Sequence, residues 1–193
     1  MPYINNENKE ISFKIVYFGP GMSGKTTNLL YIHQSLSDAV RGKMVTLDTE
    51  EERTLFFDFL PLDLGDVEGY QVRFNMYTIP GQIYYEASRR LMLDGADGVV
   101  FVADSQPLRF DHNIMSYEMM VDNLQSYGIA PSGFPTVLQY NKRDVPDAIP
   151  IGGLERELSI ENVPVKEAVA TEGRGVMETI KEISTLVIQK FEL

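Results

Sequence analysis

The sequence has no cysteine among its 193 residues. A chain without thiols has no disulfide framework, no zinc–thiolate site and no cysteine nucleophile. It also lacks any apolar run near the roughly 18 residues that a membrane-spanning helix requires. We therefore expect no membrane span. A length of 193 residues is enough to bury a core, and we expect one domain over residues 1–193.

Positive charge is also scarce. The 17 Lys and Arg residues face 28 Asp and Glu residues, which gives a net charge of −11. This balance disfavours binding to nucleic acid and direct attraction to anionic lipid. Pro2 stands where N-myristoylation needs glycine, and Phe191–Leu193 offers no cysteine for prenylation. We expect a cytoplasmic protein without a direct lipid anchor.

A glycine-rich segment, Gly19–Thr27, reads GPGMSGKTT and follows the apolar run Phe13–Phe18. It matches the pattern G-x-x-x-x-G-K-[ST] between a predicted strand and a helix that begins at Lys25. Backbone N–H groups of such a loop cradle phosphates, helped by the positive end of the helix. Lys25 is predicted to reach the β- and γ-phosphates, and Thr26 to ligate Mg²⁺. The nucleotide contacts assigned to this loop are Gly19, Gly21, Met22, Ser23, Gly24, Lys25, Thr26 and Thr27.

Strand-like and helix-like runs alternate along the chain, which predicts a mainly parallel, doubly wound α/β sheet. Leu55–Leu60 and Tyr70–Ile79 are interpreted as one antiparallel pair. We expect the first of them to end at Pro61, with Asp63–Gly69 as the connection. Residues 1–10 form either a loose arm or a short extra edge strand. Functional loops in such sheets follow the carboxyl ends of the strands.

The segment Asn141-Lys142-Arg143-Asp144 follows a predicted strand and has the pattern N-K-x-D. The Asp144 carboxylate can accept hydrogen bonds from the N1–H and N2 amine of guanine, a donor pair that adenine lacks. Asn141 can tie this loop to the phosphate loop, and the stem of Lys142 can cover the base. After the next strand, the Ala170 N–H, beside Thr171, is positioned for the guanine oxygen.

The segment Thr78–Gln82 reads TIPGQ, where small GTPases carry D-x-x-G-Q. Gly81 is predicted to bind the γ-phosphate through its N–H, and Gln82 to orient the attacking water. Thr78 replaces the usual acid and cannot supply a carboxylate near Mg²⁺. Either Mg²⁺ binds more weakly or another acid substitutes, and Asp58 is the candidate.

These motifs together resemble the MglA family of bacterial small GTPases across nearly the whole chain. The segments that carry the resemblance are GPGMSGKTTNL, RTLFFDFLPL, TIPGQ, GADGVVFVADS and YNKRD. The resemblance implies a P-loop NTPase with a Ras-like G domain. Its mainly parallel six-stranded sheet would have one antiparallel edge pair and an extra N-terminal strand. It further implies slow hydrolysis of GTP to GDP with Mg²⁺, in a switch that sets cell polarity or gliding motility.

The same resemblance implies partners and catalytic residues. A roadblock-fold, MglB-like homodimer would act on the switch regions, and polarity effectors would lie downstream, with recruitment to a cell pole. Arg53 would be an intrinsic arginine finger, and Thr54 the second Mg²⁺ ligand beside Thr26. Gln82 and Lys25 would complete the catalytic set. The alternative for Arg53 is an ion pair with the acidic run Glu50–Glu52.

Two other classes of function stay open at this point. One is a GTP-binding scaffold with negligible hydrolysis, which the missing acid at Thr78 favours. The other is a P-loop kinase or ATPase, which leaves Asn141–Asp144 without an explanation.

Overall fold

The computed structural model describes residues 2–47, 57–67, 69–79 and 86–191. The strands in these ranges are β1 (Tyr3–Asn5), β2 (Glu10–Phe18), β3 (Val45–Leu47), β4 (Phe57–Val67), β5 (Tyr70–Thr78), β6 (Gly98–Asp104), β7 (Thr136–Asn141) and β8 (Val165–Glu167). The α-helices are α1 (Lys25–Ser35), α2 (Glu86–Leu93), α3 (Phe110–Ser126), α4 (Gly153–Glu157) and α5 (Val176–Lys190). None of these helices combines the length and apolarity that a bilayer crossing requires.

The strands form one sheet in the order β3-β4-β5-β2-β6-β7-β8, and β1 pairs with β2. Strand β2 runs parallel to β5 and β6, and the pairs β6–β7 and β7–β8 are parallel as well. Strands β4 and β5 are antiparallel. The predicted parallel sheet with an antiparallel pair toward one edge is thus confirmed.

Two short strands enlarge the sheet from the expected six strands to eight. Strand β1 is the extra N-terminal strand, and it pairs antiparallel with Glu10–Ser12 of β2. Strand β6 uses the same side of β2 further along, at Ile15–Phe18. Strand β3 pairs antiparallel with the start of β4. With only three residues, β3 is too short to show the period of two that identifies a strand in a sequence.

Strand β4 continues through Pro61, so its predicted end there is wrong. It runs to Val67 and pairs with β5 as far as the register Val67–Tyr70. The predicted connection over Asp63–Gly69 is therefore mostly strand. The Pro61 carbonyl accepts from Gly42 N (2.8 Å), on the side of β4 away from β5. The missing N–H of Pro61 faces that same side, so the β4–β5 ladder loses no donor.

The inner strands are buried on both faces, which explains their nearly continuous apolar sequence. On one face of β2, Phe13 and Ile15 pack with residues of α1 and α5. On the other face, Val16 and Phe18 pack with residues of α2 and α3. The two layers hold the carboxyl ends of β2, β6 and β7 at one rigid edge of the sheet.

Replacement of Tyr17 by phenylalanine should leave the free energy of unfolding unchanged or raise it by up to about 1 kcal/mol. The Tyr17 hydroxyl is fully buried and has no hydrogen-bond partner among the described residues. Phenylalanine keeps the ring and removes a polar group that pays for desolvation without a bond. Urea denaturation measures the difference.

The control is Tyr140→Phe in the same sheet. The Tyr140 hydroxyl bonds to the Glu155 carboxylate and accepts from Leu154 N (3.0 Å). Its loss should cost about 1–2 kcal/mol because both partners lose a bond. Equal losses in the two variants would contradict the assignment for Tyr17.

Candidate nucleotide-binding site

The loop between β2 and α1 is packed tightly against the ends of two neighbouring strands. Gly19 and Gly24 have φ angles of 148° and 100°, which side chains rarely adopt. A Cβ on Gly19 would lie 2.2 Å from Val102 O in β6, and one on Gly24 would lie 2.2 Å from Asn141 Nδ2 in β7. Both positions therefore require glycine, and the loop is held close to the sheet edge.

The Lys25 ammonium lies inside this loop. Its side chain is buried, and Nζ donates to Gly19 O (2.9 Å) and Pro20 O (2.7 Å). Burial lowers the pKa of Lys25 to about 7; Asp58 opposes this shift and Arg109 adds to it. Little negative charge surrounds this buried amine, so a phosphate beside it would strongly stabilise its protonated form.

A carboxylate reaches the first turn of α1 from β4. Thr26 Oγ1 donates to Asp58 Oδ2 at 2.6 Å, and Thr78 Oγ1 donates to the same oxygen at 2.8 Å. Asp58 N in turn donates to Thr78 Oγ1 at 2.9 Å. Asp58 and Thr78 are both buried. A carboxylate from the adjacent strand thus lies beside the hydroxyls of Thr26 and Thr78, and hydroxyl and carboxylate oxygens are ligands that Mg²⁺ prefers.

Asn141 joins three loops at the edge of the sheet. Its Nδ2 donates to Ser23 O in the phosphate loop (2.8 Å), which is the tie expected from the sequence. Its Oδ1 accepts from Ala170 N (2.9 Å). The Ala170 N–H thus donates to Asn141, and its contact with guanine stays a prediction.

Lys142 follows Asn141 with a positive φ of 62°. Its Nζ forms an ion pair with Asp104 Oδ2 at 2.7 Å, at the carboxyl end of β6. Asp144 and Thr171 are exposed at the same edge, open to a ligand. The base motif and the phosphate loop thus face one region, as the sequence predicts for a nucleotide.

Arg109 is the residue that sequence reasoning missed. Its Nη2 donates to Gly21 O in the phosphate loop at 2.9 Å. A single arginine in a turn carries no motif, so no pattern in the sequence could have indicated it. The predicted site residues Arg53, Thr54, Gly81 and Gln82 lie outside the described residues.

In protein freed of nucleotide, stability should rise with pH above about 7, and Lys25→Met should flatten that rise. Unfolded Lys25 holds its proton up to its usual pKa of 10.5, whereas the folded group loses it near 7. Between these values the unfolded state binds more protons, so rising pH favours folding. The expected slope is roughly 1 kcal/mol per pH unit.

Urea denaturation of the native chain and of Lys25→Met at pH 7 and pH 9 measures this difference. The comparison with Lys25→Met cancels all groups that titrate alike in both proteins. Parallel stability changes in the two proteins would contradict the lowered pKa.

A comparison with known proteins agrees with this geometry. No protein-family model matches the chain. The chain is 48% identical over 192 residues to the mutual gliding-motility protein MglA of Myxococcus xanthus (strain DK1622). The alignment covers 100% of this chain and 98% of that protein. Together with a mainly parallel sheet whose phosphate loop follows β2, this identity shows that the chain belongs to the MglA family of Ras-like small GTPases.

Proposed function

We propose that this protein is a guanine-nucleotide switch that binds GTP and GDP with Mg²⁺ and hydrolyses GTP to GDP and phosphate. The observation that carries the proposal is the bond from Asn141 Nδ2 to Ser23 O at 2.8 Å. It joins the base-recognition motif to the phosphate loop, so one ligand with both a guanine and phosphates fits the two. We further propose that residues 1–193 form a single G domain.

The phosphates are assigned to the loop over Gly19–Thr27, and guanine to Asp144. Lys25 offers its charge to the β- and γ-phosphates, and Lys142 covers the base with its stem. When bound, Mg²⁺ neutralises the charge that develops between those phosphates. Thr26 and Thr54 are the protein ligands proposed for it.

Asp58 is proposed as the acid that orients the metal ligand Thr26. Its carboxylate accepts from both Thr26 and Thr78, within 2.6–2.8 Å of each hydroxyl oxygen. The contact with Thr26 fixes the hydroxyl proton away from the metal and leaves a lone pair for it. With Asp58 in this role, the missing acid at position 78 no longer favours a GTP-binding scaffold without hydrolysis.

Asp58→Asn should raise the Mg²⁺ concentration needed to slow GDP release by about tenfold or more. The amide lacks the negative charge with which the carboxylate accepts from both hydroxyls. Thr26 therefore loses its orientation. Release of a fluorescent GDP analogue, titrated with Mg²⁺, measures the change. The matched control is Asp63→Asn on the same strand, whose carboxylate bonds to Gly65 N and Gln71. An Mg²⁺ dependence equal to that of the control would remove Asp58 from the site.

Hydrolysis is assigned to residues outside the described part of the chain. Gln82 is proposed to align the attacking water, and Gly81 to bind the γ-phosphate through its N–H. Arg53, beside Thr54, is proposed as an arginine finger supplied within the chain. An arginine in this role is worth about 10³–10⁵ in rate.

The proposal is tested first by the nucleotide that is retained after mild purification and by its competition with GTP and ATP. Guanine nucleotide should be retained, and excess ATP should not displace it because adenine lacks the donor pair that Asp144 accepts. Multiple-turnover phosphate release should then show hydrolysis. ATP that competes as well as GTP would overturn the guanine assignment.

Arg53→Ala and Gln82→Leu should keep GTP affinity and lose most of the hydrolysis in single-turnover measurements. Arg41→Ala is the control, because Arg41 pairs with Asp38 on the surface at 2.8 Å, as Arg53 would if it only balanced an acidic run. A single-turnover rate for Arg53→Ala equal to that of Arg41→Ala would refute the arginine finger.

We propose that the switch acts in the control of gliding motility or cell polarity, the process named for the Myxococcus xanthus relative. The partners proposed from the family resemblance are a roadblock-fold, MglB-like homodimer and downstream effectors, with recruitment from the cytoplasm to a cell pole. On this chain, Phe57, Phe59 and Tyr77 form a half-buried aromatic group on β4 and β5 that could contribute to such a contact.

A further inference from the structure

Arg109 lies in the short 3₁₀ turn Pro107–Arg109, between β6 and α3. Its side chain crosses from this turn to the phosphate loop, where Nη2 donates to Gly21 O at 2.9 Å. Its Nε lies 3.9 Å from the Asp104 carboxylate, and the side chain is 29% exposed. Two different nitrogens of one guanidinium thus face two partners, which a lysine amine cannot reproduce.

The Asp104 carboxylate is the second partner, and it is only 1% exposed. It pairs with Lys142 Nζ at 2.7 Å and also accepts from Gln106 N at 3.1 Å. A buried carboxylate is favourable only when cations and hydrogen-bond donors surround it closely. Asp104 therefore brings Arg109 and Lys142 together at one carboxylate oxygen, Oδ2, and both cations belong to segments that face the nucleotide region.

We infer that Arg109 is a positioning residue for the guanine nucleotide. It connects the phosphate loop, at Gly21, with the base loop, at Lys142, through Asp104, the partner that it shares with Lys142. This inference rests on the proposed function. Asn141 already fixes the loop on its inner side, at Ser23. Arg109 fixes the more exposed part of the loop, at Gly21. The distance between the phosphate contacts and the base contacts is therefore set before the ligand binds. Less order then has to be created on binding.

The guanidinium charge acts in the same direction. Arg109 Nη2 lies against the phosphate loop, 2.9 Å from Gly21 O, so it adds positive potential where the phosphates are proposed to bind. A residue that only capped the start of α3 would have no effect on that loop.

The test measures the dissociation rate of N-methylanthraniloyl-GDP from the full chain. Arg109→Leu should release it about tenfold faster, the loss expected for one charge-assisted hydrogen bond. Arg109→Lys should recover part of the loss, since an amine can still reach the Gly21 carbonyl. The matched control is Arg156→Leu, because Arg156 Nε also donates to a glycine carbonyl, Gly152 O (3.1 Å), away from the site. The control should release the analogue at the native rate.

The melting temperature of nucleotide-free protein separates positioning from general stability. It should be equal in Arg109→Leu and Arg156→Leu. A lower value in Arg109→Leu without rescue by lysine would assign Arg109 a structural role only and overturn the inference. Native release by Arg109→Leu would overturn it as well. If the native chain itself fails to bind the analogue, the proposed function fails first.

The route through Asp104 is tested by a double-mutant cycle. Asp104→Asn and Arg109→Leu should together accelerate release by less than the product of their separate effects, because they interrupt one connection. A full product would show that Arg109 acts without Asp104 and would overturn this route.

Discussion

The side-chain amide of Asn141 is the contact on which the arrangement of the site depends. It donates to Ser23 in the phosphate loop and accepts from Ala170, so one residue holds the loops after β2, β7 and β8 in register. The amide lies so close to Gly24 that no side chain fits at that position. The buried strands behind these loops make the connection rigid, because their two apolar layers leave no room for β2 and β7 to shift independently.

The proposed metal side of the site is built differently from the proposed base side. Position 78 carries a threonine, and the carboxylate comes from Asp58 on the neighbouring strand, where Thr78 itself holds it in place. A threonine thus replaces the acid that small GTPases carry at this position of β5, in exchange for an acid on β4. This exchange depends on the register of the β4–β5 pair, so the chemistry of the loop after β2 is tied to the pairing of an antiparallel edge of the sheet.

The features that could be predicted from the sequence are those in which a few adjacent residues carry the whole mechanism. GPGMSGKTT and NKRD indicated two loops that the structure joins at one edge of the sheet, and the apolar runs of β2, β6 and β7 indicated a parallel sheet. The passage of β4 through Pro61 could not be predicted, because it depends on which side of the strand faces β5. Arg109 could not be predicted either, since its partner Gly21 lies 88 residues earlier and nothing local marks the pair. Ala170 was found by its position, but its bond to Asn141 became visible only once the loops were packed together.

The buried Lys25 has a consequence beyond the phosphates that it is proposed to contact. With a pKa of about 7, its amine is only partly protonated in neutral solution. An anion at its side makes the protonated form the stable one, so nucleotide association draws a proton from the surrounding buffer. The heat of association measured by calorimetry then contains the ionisation heat of that buffer.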